Sequence, residues 1–98
     1  MTLIRFHELA ERELEEAITD YEMRSEGLGD RFLAEVRAAV SFIQEYPESS
    51  PIIELGIRRK VLVKFPYDLF YTLETTGVLI MSVAHESRRP GFWRGRVQ

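Results

Sequence analysis

The residues best suited to chemistry gather in two short runs. One is Arg58-Arg59-Lys60 with Lys64 close behind; the other begins at His85 and continues through Arg88, Arg89, Trp93, Arg94 and Arg96. Cations at that density suit the charge that develops on a phosphodiester under attack. Cutting RNA through its 2′-hydroxyl also needs a base for that proton and an acid for the leaving oxygen. An imidazole titrates near neutral pH, and His85 is the histidine that lies near these cations. Trp93 offers a ring to stack on a base but exchanges no useful proton. Nuclease chemistry therefore rests on one side chain, and His85 is a catalytic candidate only for a nuclease. The same residues also fit recognition without catalysis, because Trp and Arg are enriched among interface anchors. A plainer reading is open for each. His85 can be a strand-end residue bonded to the backbone, Arg58 and Arg59 can be solvated charges guarding an edge strand, and Trp93 can be an apolar plug.

Composition removes several alternatives. The chain has no cysteine and two histidines, His7 and His85, so disulfides, thiolate sites and histidine-rich metal clusters are not expected. No glycine-rich phosphate loop is present, and no cofactor is expected. Glu8, Glu11, Glu13, Glu15, Glu16 and Asp20 are incompatible with a signal peptide. The apolar run Val78 to Ala84 is far shorter than the ~20 residues of a membrane helix. A cytoplasmic protein without a membrane partner is expected. Charge is divided unevenly along the chain. Residues 1–50 hold five Arg/Lys against twelve Asp/Glu, a net −7, and residues 51–98 hold eight against four, a net +4. The acidic half admits a bland explanation, solvated helix faces rich in Glu; the basic half is the candidate target-binding surface. With a pI near 5.4 and no basic recognition helix, direct tight binding to naked DNA is not expected.

The elements that must position these residues follow from periodicity. A length of 98 residues is one domain, spanning 1–98. Thr2 to Phe6 reads as a strand. Ala10, Leu14, Ala17, Ile18 and Tyr21 mark one face of a helix starting at Glu8, and Glu11, Glu13, Glu15 and Glu16 are expected on its solvated side. Pairs at i, i+4 (Glu8 with Arg12, Arg12 with Glu16, Asp20 with Arg24) support that helix weakly. Gly27-Leu28-Gly29 links it to a second helix with Asp30 in its first turn and Phe32, Val36, Ala39, Val40 and Ile43 along its apolar face. Pro47 ends that helix, and Glu48 to Pro51 form a polar loop. Ile57 to Lys64 alternates as a strand, with Ile57, Arg59, Val61 and Val63 on one face and Arg58, Lys60, Leu62 and Lys64 on the other. Phe65-Pro66 turns the chain into the strand Asp68 to Glu74. Thr75-Thr76-Gly77 turns it again into Val78 to Ala84. Both strands are nearly continuously apolar and belong mid-sheet. The tail from His85 has no periodicity. The fold class is α+β in the order β-α-α-β-β-β, a helical hairpin packed on one face of an antiparallel sheet.

Three stretches of this chain resemble the RelE/ParE toxin superfamily in order and almost end to end. ELAERELEEAITDYE followed by GLGDRFLAEV resembles its helical hairpin. IRRKVLVKFPYDLFYTLE resembles its basic strand, turn and following strand. VLIMSVAHESRRPGFWRGR resembles its closing strand and C-terminal signature, here His85, Arg88, Pro90, Trp93 and Arg96. The likeness is nearer the ParE or plasmid-stabilisation branch. That resemblance implies a growth-inhibiting toxin of a type II toxin–antitoxin system, with DNA gyrase as target and a cognate ParD-like antitoxin as partner. The RelE branch implies instead a ribosome-dependent endonuclease acting on mRNA, and an inactive relic that only binds its antitoxin is a further alternative. Target-binding candidates are Arg58, Arg59, Lys60, Lys64, His85, Arg88, Arg89, Trp93 and Arg96. No antitoxin-binding residue can be named from sequence.

Overall fold

A computed structural model describes residues 2–89 and 91–96. The elements run β1 (Leu3–Phe6), α1 (Glu8–Arg24), α2 (Leu28–Glu45), β2 (Ile52–Glu54), β3 (Ile57–Val61), β4 (Tyr67–Glu74) and β5 (Gly77–His85), closed by a short 3-10 helix, Phe92–Arg96. The sheet has five strands in the order β1-β5-β4-β3-β2.

The helical hairpin forms as its apolar stripes require. Ala10, Ala17 and Tyr21 of α1 and Phe32, Val36, Ala39 and Ile43 of α2 are buried against Leu62, Leu69, Tyr71, Val78, Ile80 and Val83 of the sheet. Tyr21, Phe32, Phe65 and Tyr67 meet ring to ring with centroids 4.9–6.0 Å apart, welding the hairpin to the β3–β4 turn. Gly27 stands at φ +83°, which glycine reaches without strain. The Glu22 carboxylate accepts from the Gly27 and Gly29 amides at 2.9 and 3.0 Å, satisfying donors that a helix start leaves over. At Gly29 the helices touch so closely that a Cβ would stand 2.7 Å from the Ile18 carbonyl oxygen. Of the three surface pairs expected on α1, Glu8–Arg12 forms at 2.8 Å. Arg24 lies over the Tyr21 ring instead of reaching Asp20.

Two features of the sheet differ from expectation. β1 pairs with β5 in parallel, so the sheet is mostly rather than wholly antiparallel. β2 is an added strand, three residues long, paired antiparallel with β3. Its Ile52 and Ile53 are exposed, so no buried alternation announced it. β4 and β5 lie inside the sheet, as their apolar character required.

The sheet face turned away from the helices carries a second, smaller apolar cluster. Ile57, Phe70, Met81 and Ala84 are covered there by Trp93 of the 3-10 helix, with Leu79 and Phe92 beside them. The tail is thus a structural layer, which its lack of periodicity concealed.

Candidate target-binding surface

Strand geometry sends the basic residues to different places. Arg58 and Lys60 stand opposite Tyr71 and Leu69, on the helix side, and Arg59 stands opposite Phe70, on the tail side. Arg58 binds inward: its Nη1 donates to the carbonyl oxygens of Glu48 and Ser50 at 2.9 and 2.8 Å, pinning the loop that follows α2. Lys60 places its ammonium 4.2 Å from the centre of the Phe42 ring, and Lys64 reaches Glu35 of α2 at 3.7 Å. Arg59 pairs with Asp68 of β4 at 2.9 Å.

Arg59, His85 and Arg88 are brought together. They line a cleft of about 250 Å³ between the sheet and the tail, with Trp93 and Phe92 in its wall. His85 ends β5, exposed. Its Nδ1 accepts from the Ser87 amide at 3.0 Å and lies 2.8 Å from the Ser87 hydroxyl, and its ring meets the edge of Tyr67. The imidazole is therefore a strand-end residue held by the turn after it, and among the described residues its other nitrogen makes no hydrogen bond. Trp93, 3 % exposed, packs as a plug in the second core. Arg89 is exposed and, among the described residues, makes no ion pair. Pro90 lies outside the described residues.

The organiser of the tail is a residue assigned by sequence to a solvated face. Glu11, Glu15 and Glu16 are exposed, but Glu13 faces the sheet. β1 stops at Phe6, and the last bond on that side runs from the His7 amide to the Ile80 carbonyl. Beyond this point the outer edge of β5 has no strand beside it among the described residues. Glu13 accepts there from the Val83 amide at 3.1 Å and the Ser82 hydroxyl at 3.0 Å. Arg96 completes the repair: it donates to the Met81 carbonyl at 2.8 Å and grips both oxygens of Glu13 at 2.9 and 2.8 Å. Arg88 adds a bond to Glu13 at 2.7 Å and places its guanidinium carbon over Phe92, 3.9 Å from the ring centre. Burial would push the Glu13 carboxyl up. Its bonds from Arg96, Val83 and Ser82 and the charge of Arg96 outweigh burial and hold it below the usual carboxylate range. Sequence held one signal for this: Ala10, Glu13 and Ala17 fall at i, i+3 and i+7, on one helical stripe.

Asp68 is the second residue that sequence left out. It sits 4 % exposed beside the apolar run Leu69-Phe70-Tyr71, and its Oδ1 has no hydrogen-bond partner among the described residues. Burial raises its carboxyl above the usual range, opposed by the charge and hydrogen bond of Arg59 and reinforced by Glu86. Another arginine of the tail, Arg94, grips Glu54 of β2 at 2.7 and 2.8 Å, tying the outermost strand to the 3-10 helix.

The profile of the ParE toxin of type II toxin–antitoxin systems, parDE, matches residues 4–90. The chain belongs to the ParE toxin family. The match runs from Ile4 of β1 through the end of β5 and stops before Trp93 and Arg96, the residues that close this ParE chain's second core. Among solved structures it resembles a chain of the chromosomal ParDE toxin–antitoxin system from P. aeruginosa, with a TM-score of 0.62 at 18 % identity, over 87 % of this chain and 96 % of that one. At that identity the likeness establishes the shared fold. No curated protein matches the chain. Among the described residues no helix is long and apolar enough to cross a membrane, and no three His, Cys, Asp or Glu side chains converge as a metal site.

Proposed function

We propose that this chain is the active toxin of a type II toxin–antitoxin pair, working in the cytoplasm by poisoning DNA gyrase and neutralised by a cognate antitoxin of the ParD kind. Membership of the ParE family over residues 4–90 carries this reading. The site geometry favours recognition over cleavage. The arginines available for phosphate chemistry are committed to internal partners, Arg59 to Asp68 and Arg88 and Arg96 to Glu13. The target-facing groups are then Arg89, the free side of His85 and the rim of the cleft they share. Arg89 is the clean residue to reverse, because an Arg88→Glu change would set two carboxylates against each other at Glu13.

The test is induction of the chain alone, combined with purified gyrase and relaxed plasmid. Growth arrest with gyrase-dependent linear plasmid is expected, and Arg89→Glu should weaken both about tenfold or more while leaving the fold unchanged. New transcript ends inside translated codons, with gyrase unaffected, would replace this reading by the ribosome-dependent nuclease and make His85 the first residue to mutate. Soluble protein without arrest would make the chain a relic.

A further inference from the structure

β2 covers only the first part of β3, and past its end the outer edge of β3 is left without a paired strand among the described residues. The Arg59 amide donates outward to the Pro51 carbonyl at 3.1 Å, and the Leu62 amide donates inward to the Tyr67 carbonyl at 3.0 Å. Strand alternation therefore turns the N–H and C=O of Val61 outward, past the end of β2, and neither has a backbone partner among the described residues. The side chains around this gap are apolar and uncovered: Val61, Val63 at 89 % exposure, and Phe42 of α2. A groove runs along the same border on both sides of the Lys60–Phe42 contact, reaching Glu35 at one end and Pro51 at the other. An open strand edge beside an apolar groove is a template for another strand.

Charge selects the occupant. The chain along this edge reads Lys60-Val61-Leu62-Val63-Lys64, with β3 ending at Val61 and Lys64 in the bend that follows. A second copy pairing antiparallel about Leu62 would set Lys60 against Lys64 at both ends, and like charges directly opposite one another are destabilising. A segment with carboxylates at those two places and aliphatic residues between them meets the lysines with opposite charge and covers the valines. We infer that the Val61 edge of β3 docks an extended acidic–aliphatic segment of another protein, which adds a sixth strand to the sheet. Within the toxin–antitoxin reading, on which the partner's identity but not the docking chemistry rests, that segment belongs to the antitoxin.

The probe is a capped eight-residue peptide alternating glutamate and valine, titrated into the full chain and followed by amide resonances, with a lysine–valine peptide as control. The expected result is a set of shifts centred on Val61 to Lys64, slowed exchange of the Val61 amide, and binding at least about tenfold weaker for the lysine peptide. Lys60→Glu with Lys64→Glu, both at the surface, should reverse that preference. Val61→Pro, which removes an outward N–H and no ladder bond, should abolish binding of either peptide. Equal binding of the two peptides, shifts elsewhere, or concentration-dependent self-association that protects the Val61 amide would each overturn the proposal. Failure here is distinguishable from failure of the toxin reading. A chain that poisons gyrase and ignores the acidic peptide keeps its function and loses this edge site, and the converse result keeps the site alone.

Discussion

The two faces of the sheet are covered in different ways. On one, two helices of 17 and 18 residues bring continuous apolar stripes, and the core there is broad. On the other, one indole and a few neighbours form a small cluster under a five-residue 3-10 helix. That thin layer is held at its ends by ion pairs, Arg96 and Arg88 on Glu13 and Arg94 on Glu54. Area secures the first face; a few charged, hydrogen-bonded anchors secure the second. The cleft that gathers Arg59, His85 and Arg88 exists because the second layer is in place. The broad core and the cleft are thus divided between opposite sides of one sheet.

Mutations that separate the layers sharpen this contrast. Phe32→Ala removes a ring from the centre of the broad core and should destabilise the chain by about 3–5 kcal/mol. Urea unfolding followed by far-ultraviolet circular dichroism and by tryptophan emission should shift as one transition, because that core underlies the whole fold. Glu13→Ala should cost about 2–3 kcal/mol, since it leaves the Arg96 guanidinium, 9 % exposed, without its carboxylate and strips the Val83 amide of its acceptor. Trp93 is the chain's single tryptophan and reports on the tail directly. Its emission should move to the red in Glu13→Ala while the helical dichroism persists; simultaneous loss of both signals would contradict two separable layers.

Acid should act on the two buried carboxylates in opposite directions. The folded-state pKa of Glu13 lies below its ordinary 4.5, so its stabilisation is present above that value and is lost as pH falls through the lower folded one. Asp68 has a folded-state pKa raised above its ordinary 3.8, so protonation favours the folded state and stability rises as pH falls through that raised value. A titration should therefore show a small gain first, then a loss with red-shifted Trp93 emission. Asp68→Asn should erase the gain, and Glu13→Gln should erase the loss. Arg88→Ala has the smallest expected effect, about 0.5 kcal/mol, because that side chain is half exposed and Arg96 still holds the carboxylate. Thermal melting resolves the difference when Arg88→Ala and Glu13→Ala are run side by side.

Much of the helical side was legible from local pattern. Ala10, Ala17 and Tyr21, then Phe32, Val36, Ala39 and Ile43, are spaced for burial whatever lies opposite them, and each is buried. The alternation of β3 was equally plain, with Arg59 and Arg58 falling on opposite faces as their parity demanded. Legibility ended where partners are distant in the chain. Glu13 meets Arg96 across 83 residues, and a stripe of glutamates on a helix reads as solvated until that arginine is in place. β2 pairs through three residues with exposed isoleucines, so no period betrays it. The parallel pairing of β1 with β5 joins segments some seventy residues apart, beyond any local signal.

The sequence by itself determined the hairpin, the two apolar inner strands, the charge division between halves and the family likeness, because each is written in local periodicity or in residue order. The tertiary structure alone decided which arginines stay exposed and which are held by internal partners. That choice depends on where β1 ends, which backbone groups of β5 are left without a neighbour, and which side chains are near enough to satisfy them.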